Sequence, residues 1–325
     1  MTRRSRRRGW IGSPVIAVAL LLAALTASTV APSASAQSAA LPPAATAAIW
    51  GIDSQTSTIF NDPRWAALPL THVRYFVPWD LKDDKHYLRE AVVWLRAAHA
   101  HHVDVLLALT QSDLRGESHY LPSARVYRSA VSWLMRRYPW IREWTPWNEA
   151  DLLDQATLEH PGKAAMYWRI ARRLCRSCIV TSPSLVGYRA LPTWWLPRFL
   201  RAARGLDGPW ALHIYNDINE YNANDLNYFE QHLPGPLWVT EVGGYQHFYN
   251  YPPNLQRQAI ALEFMFTIAP FYAPRVQRWY LYQWLGSSPN SIWDTGLLND
   301  NGSARPALLV VQHYLTGLPY DNLPY

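Results

Sequence analysis

Two glutamates stand where a carboxylate is costly to place. The segment Trp144-Thr145-Pro146-Trp147-Asn148-Glu149-Ala150 and the segment Leu237-Trp238-Val239-Thr240-Glu241-Val242-Gly243-Gly244 each carry an apolar run into a glutamate. Ionising there is unfavourable unless a partner or a reaction makes use of the charge. A pair of such groups can divide one task. One carboxyl protonates a leaving oxygen while the other attacks, or activates an attack, from the opposite side. The bland alternative for both is a buried ion pair with no reaction to run. Other polar residues also close or follow apolar runs: Asp53, Asp80, Gln111 with Asp113, Asn216 with Asp217, and Gln283. Arg74 interrupts an apolar run, where it serves either such a site or a structural pair with Asp53 or Asp80. His213 reads equally as a site residue and as a satisfied core histidine.

The elements that must position these groups alternate along the chain. Apolar strand segments are expected at Ala48–Asp53, His72–Val77, Asp104–Thr110, Ile141–Trp147, Ile179–Ser182, Trp210–Tyr215, Leu237–Glu241 and Val276–Trp284. Segments of helical period fall between and after them: Asp62–Leu68, Asp84–Ala100, Ser123–Tyr138, Gly162–Cys175, Pro192–Ala203, Asp225–Leu233, Asn254–Ala269 and Ala304–Leu315. Eight strand-then-helix units demand parallel pairing through right-handed crossovers. They close as a (β/α)8 TIM barrel of the α/β class, with one catalytic domain over residues 48–325. An open doubly wound sheet would carry a glycine-rich turn after the first strand, and Ile52-Asp53-Ser54-Gln55 has none. In a barrel, the site lies at the carboxyl ends of the strands, where the polar residues above collect.

The amino terminus reads as an address. Five arginines precede an apolar run from Val15 to Leu25, and small residues follow to Ala34-Ser35-Ala36, so residues 1–36 are expected to be a cleaved secretory signal peptide. Residues 37–47 read as a flexible lead-in. The apolar run is too short for a membrane anchor, so none is expected after cleavage, and the protein is expected to be secreted and extracellular. Removing the five leader arginines lowers the formal net charge from +6 to +1, and no basic stripe remains to hold nucleic acid. The only cysteines, Cys175 and Cys178, are expected to form a local disulfide at a helix end rather than a redox motif. His99, His101 and His102 read as charges at the carboxyl end of a helix, and no metal is expected. Neither a G-x-S-x-G elbow nor an H-E-x-x-H helix occurs. Oligomeric state is not readable.

With W-N-E closing the fourth strand and an apolar-T-E closing the seventh, the sequence resembles the retaining glycoside hydrolases of clan A, in particular the cellulase-like and β-xylosidase-like branches. The resemblance implies that Glu149 is the general acid/base, Glu241 the nucleophile, and Asn148 the holder of the sugar 2-hydroxyl. His213 and Tyr215 match the clan's His-x-Tyr, with Tyr215 bonding the nucleophile. Arg74 resembles the arginine that keeps the nucleophile ionised, and Trp284, beside Gln283, resembles the tryptophan that floors the reactive subsite. The run from Gly296-Leu297-Leu298 to Arg305-Pro306-Ala307 resembles the chain end of such enzymes. The 17 Trp and 19 Tyr suit flat sugar faces, though large barrels hold many aromatics in any case. The implied function is hydrolysis, without cofactor, of a β-linked neutral polysaccharide or oligosaccharide. Transglycosylation on the same fold, or non-catalytic binding of carbohydrate or cell wall by a degenerate barrel, are the alternatives.

Overall fold

Why the strands close is visible in their pairing. In a computed structural model, which describes residues 48–320 apart from 115, 117–118, 188–192 and 250, ten strands form: β1 (Ile49–Asp53), β2 (His72–Pro78), β3 (Asp104–Thr110), β4 (Glu143–Thr145), β5 (Ile179–Val180), β6 (Trp210–His213), β7 (Leu237–Val242), β8 (His247–Phe248), β9 (Val276–Tyr282) and β10 (Trp293–Asp294). Eight make one parallel sheet in the order β5-β4-β3-β2-β1-β9-β7-β6. The two edges meet. Leu185, just past β5, bridges in parallel to Leu212 of β6, and His213 N–H reaches the Leu185 carbonyl at 2.7 Å. The sheet is therefore a (β/α)8 barrel. The remaining two strands, β8 and β10, pair antiparallel on their own.

Nine α-helices lie outside the strands among the described residues: α1 (Pro63–Ala66), α2 (Lys85–Ala100), α3 (Ala124–Arg137), α4 (Pro161–Leu174), α5 (Trp195–Ala202), α6 (Tyr215–Asn219), α7 (Asn224–His232), α8 (Leu255–Ile268) and α9 (Pro306–Thr316). Their starts follow local chemistry. Asp84 accepts the amides of His86 and Tyr87 at the head of α2, Ser123 caps α3 and Asn254 caps α8. Proline occupies the first turn of α1, α4 and α9, where its missing N–H has no partner to lose. Gly317 ends α9 in the left-handed region at φ 74°.

The barrel interior is layered. At the base, Arg278 of β9 forks onto Glu143 of β4 and lies 3.8 Å over the Trp238 ring. Above it Leu106, Trp238 and Tyr280 make a small apolar plug. Gly51 of β1 is required there, because a Cβ would meet the Tyr280 ring at 2.6 Å. Arg74 and Asp53 stand above that plug. The outer core, between sheet and helices, buries Trp94 of α2 and Trp168 of α4.

Several elements stop short of their expected ends. The fourth strand pairs only over Glu143–Thr145 because the following residues turn to bond β3 and the chain beyond β5. The sixth ends at His213, and Tyr215 opens α6 instead of closing a strand. The eighth barrel strand ends at Tyr282, two residues before Trp284. Cys175 and Cys178 form a disulfide with a Cα separation of 5.3 Å, at the carboxyl end of α4. The expected leader, the lead-in and Pro192 lie outside the described residues. No described helix is long and apolar enough to cross a membrane.

Candidate active site

Glu149 and Glu241 face one another across the carboxyl mouth of the barrel. One oxygen of each, together with a ring nitrogen of His213, all lie within 4.8 Å of one another. Each glutamate is delivered by an irregularity. The chain leaving β4 is tied on both sides, since Asn148 N–H bonds the Leu109 carbonyl at 2.6 Å and Ala150 N–H bonds the Ser184 carbonyl at 2.9 Å. Between them Glu149 adopts a left-handed φ of 49°, with its N–H on Ser184 Oγ at 2.7 Å. A non-glycine residue holds that conformation only when its surroundings fix it. On β7 the register slips: Leu212 pairs with Val239 but His213 pairs with Glu241. The extra residue, Thr240, is a bulge that turns Glu241 into the barrel, a device common beside active sites.

The surroundings of the two carboxyls differ. Glu241 accepts from Arg74 Nη1 at 2.5 Å and from the Tyr215 hydroxyl at 2.9 Å. Arg74 is fully buried and also holds Asp53 and, at 2.5 Å, Asn148 Oδ1. It thus serves the site and the structural pair at once. Burial raises the Tyr215 hydroxyl well above the usual tyrosine range, so it remains a neutral donor. Glu149 has no guanidinium bonded to it. Burial, reinforced by the charge of Asp154 and opposed by Arg74, pushes its carboxyl up to about 7. Asp53 is pushed up to about 7 as well, by burial first, with Arg74 opposing and Glu241 reinforcing.

His213 links the pair. Its Nδ1 lies 2.9 Å from Glu149 Oε1 and its Nε2 lies 3.5 Å from Glu241 Oε1. Burial pushes the imidazole down to about 3, so it is neutral and carries one N–H. With that proton on Nε2, the ring offers Nδ1 to the Glu149 hydroxyl and turns its N–H towards the Glu241 side without a hydrogen bond. The other tautomer would aim a lone pair at a carboxylate. Among the described residues this His and two Glu are the one set with ligand spacing for a cation. Arg74 already supplies positive charge to Glu241, so the set suits proton chemistry better than metal binding.

One expectation about aromatics changes. Trp284 is 1% exposed and lies against Asp62, so it has no open face for a sugar. Tyr282 stands in its place: its phenol feels the charges of Glu241, Asp53, Arg74 and Glu149, and its ring packs edge-on to Tyr215 at 6.4 Å. Trp293 of β10 meets Tyr215 at 5.0 Å and remains half-buried. Gln283 is half-exposed beside Tyr282, its carbonyl bonded to Leu297 N–H. Sequence reasoning missed Tyr282, Ser184 and Trp293, none of which sits in a distinctive motif.

A family model described as the glycosyl hydrolase catalytic core matches residues 137–310, more than half of the chain. The chain belongs to that family. The matched segment holds both glutamates of this glycosyl hydrolase catalytic core, whereas Asp53 and Arg74 precede it. No curated protein matches the sequence. Among solved structures, a family 39 glycoside hydrolase from Bacteroides cellulosilyticus WH2 superposes with a TM-score of 0.62 at 14% identity, covering 82% of this chain and 63% of that one. The native xylanase 10B of Thermotoga maritima gives a TM-score of 0.59 at 12% identity, over 84% and 96%. A GH128 endo-β-1,3-glucanase from Amycolatopsis mediterranei, solved with laminaripentaose, gives 0.52 at 15% identity, over 81% and 98%. The likeness is one of fold. The chain spans just under two thirds of the family 39 enzyme.

Proposed function

We propose that the protein is a retaining glycoside hydrolase that cleaves β-linked O-glycosidic bonds of a polysaccharide or oligosaccharide by double displacement. One observation carries the reading: two strand-end carboxyls within 4.8 Å at their nearest oxygens, with opposite surroundings. Retaining enzymes hold their carboxyls about 5 to 5.5 Å apart, and inverting ones about 6.5 to 9.5 Å. Glu149, protonated up to about pH 7, gives its proton to the glycosidic oxygen as that bond breaks. Glu241, held by Arg74 and Tyr215, attacks the anomeric carbon and forms a glycosyl ester. Glu149, now ionised, takes a proton from water, whose oxygen displaces Glu241. Asn148, fixed by Arg74, is positioned for the 2-hydroxyl. A secreted, leaderless form is part of the proposal.

A 2-deoxy-2-fluoro glycosyl fluoride panel tests it. Mass spectrometry is expected to find the sugar on Glu241, and proton NMR to find product of unchanged anomeric configuration. Inverted product would leave hydrolysis standing and sink the retaining assignment. Turnover unaltered in Glu149→Ala and Glu241→Ala would remove both roles.

A further inference from the structure

Arg74 differs from the other buried guanidiniums in the number of carboxylates it serves. Among the described residues three arginines are buried. Arg278 pairs with Glu143 and Arg305 with Asp294, one carboxylate each. Arg74 pairs with two, Asp53 and Glu241, through the same Nη1. Its Nη2 lies on Asn148 Oδ1 at 2.5 Å. Double displacement uses Glu241 and makes no use of Asp53, which is 0% exposed and out of reach of any sugar.

The strands fix Asp53 in that place. It closes β1 beside Arg74 of β2 and Tyr282 of β9, and Gln55 Nε2 donates to its Oδ1 at 2.7 Å. Burial acts first to raise its carboxyl, Arg74 opposes, and Glu241 reinforces. Tyr75, Tyr87 and Tyr282 also feel its charge, but burial raises these phenols and keeps them neutral. Two charged groups therefore govern Asp53: a guanidinium that favours its ionised form and a nucleophile that repels it.

Only the guanidinium keeps its charge through the reaction. When a Glu241 oxygen bonds the anomeric carbon and the leaving group departs with its electron pair, the carboxylate becomes a neutral ester. A buried guanidinium stripped of its one carboxylate would be left uncompensated, which is strongly unfavourable. Arg74 is spared this because Asp53 is already on the same nitrogen. Once Glu241 no longer repels it, Asp53 ionises fully. The proton it holds in the free enzyme passes to water, and one guanidinium still faces one carboxylate.

We propose that Asp53 is the substitute counter-ion of Arg74: it holds the guanidinium while Glu241 is esterified, and so stabilises the glycosyl-enzyme. Asp53 is a positioning residue, acting through Arg74 without touching the sugar. The inference rests on the retaining reading for the ester, and on the set of Asp53, Arg74 and Glu241 alone for the change of partner.

A double-mutant cycle at pH 7 tests the set without a sugar. Asp53→Asn and Glu241→Gln each leave Arg74 one carboxylate, and each is expected to fold with a denaturant midpoint near the parent's. In Asp53→Asn the Gln55 amide, whose Oε1 has no partner, can turn to accept the new N–H. Together the two changes leave Arg74 no carboxylate, and the unfolding equilibrium is expected to shift roughly 100-fold beyond the product of the single effects. Failure of the double variant alone to fold has the same meaning. Additive effects, or unfolding of Asp53→Asn by itself, overturn the inference. Labelling with 2-deoxy-2-fluoro-β-glucosyl and β-xylosyl fluorides tests the step. In Asp53→Asn the ester on Glu241 is expected to form about 100-fold more slowly and to hydrolyse no more slowly than in the parent, whereas a merely displaced Glu241 would slow both. An unchanged rate of formation overturns the inference whatever the cycle shows. A non-additive cycle in a parent that forms no ester keeps the second partner of Arg74 and sinks the retaining reading instead.

Discussion

At the scale of single residues, what separates Glu149 from Glu241 is the company each keeps. Glu241 is tied to a buried guanidinium and a phenol, whereas Glu149 faces a neutral imidazole. The consequence is a pH signature in stability. Because the folded state lifts Glu149 from 4.5 to about 7, folding favours its protonated form; its contribution is full below the unfolded value and is lost as pH rises through about 7. Glu149→Gln removes that titration. Relative to the parent, the variant is expected to gain roughly 2 to 3 kcal/mol between pH 5 and pH 8, read from denaturant midpoints at the two values. A difference that does not change with pH would mean that Glu149 is not the buried acid. Tyr215 makes a separate case. Tyr215→Phe deletes one donor to Glu241 and leaves the ring, so kcat is expected to fall by about 100-fold with little change in melting temperature. An intact kcat would remove Tyr215 from the site.

Among the elements, the strands were the legible part and their ends were not. Parallel strands buried on both faces read as continuous apolar runs, so all eight barrel strands could be placed, and the glutamates with them. A run of that kind does not say where pairing stops. Tyr282 and Trp284 share a parity, and only the early end of β9 decides that the tyrosine faces the site while the tryptophan turns to Asp62. The bulge at Thr240 is equally invisible, because it depends on register against β6 and on nothing local in Val239-Thr240-Glu241. Arg74 was visible as an intruder in an apolar strand. That it spans Asp53, Glu241 and Asn148 depends on residues far apart in the chain. The inner packing of β1 and β9 can be tested directly. Gly51→Ala would drive a methyl into the Tyr280 ring, against which a Cβ stands at 2.6 Å. The expected loss is about 1 to 3 kcal/mol, seen as a lower melting temperature. An unchanged value would show that the plug can yield.

For the whole molecule, composition misleads until the chain is divided. The pI of 9.3 reflects five arginines before an apolar run, and no acid occurs before Asp53. The barrel beyond them is nearly neutral, with a basic pair, Arg173 and Arg176, beside the disulfide-bearing end of α4. If residues 1–36 direct export and are removed, the mature protein begins at Gln37 and has a net charge near +1, far from the strongly basic character of the intact chain. A glycan-cleaving enzyme gains from this, because a strongly cationic surface would hold it on polyanions in place of its substrate. Intact mass spectrometry of the exported protein is expected to show a chain starting at Gln37, and isoelectric focusing a band close to neutrality. A full-length mass in the medium, focusing as a strongly basic protein, would show that the leader is retained and that its arginines belong to the working surface.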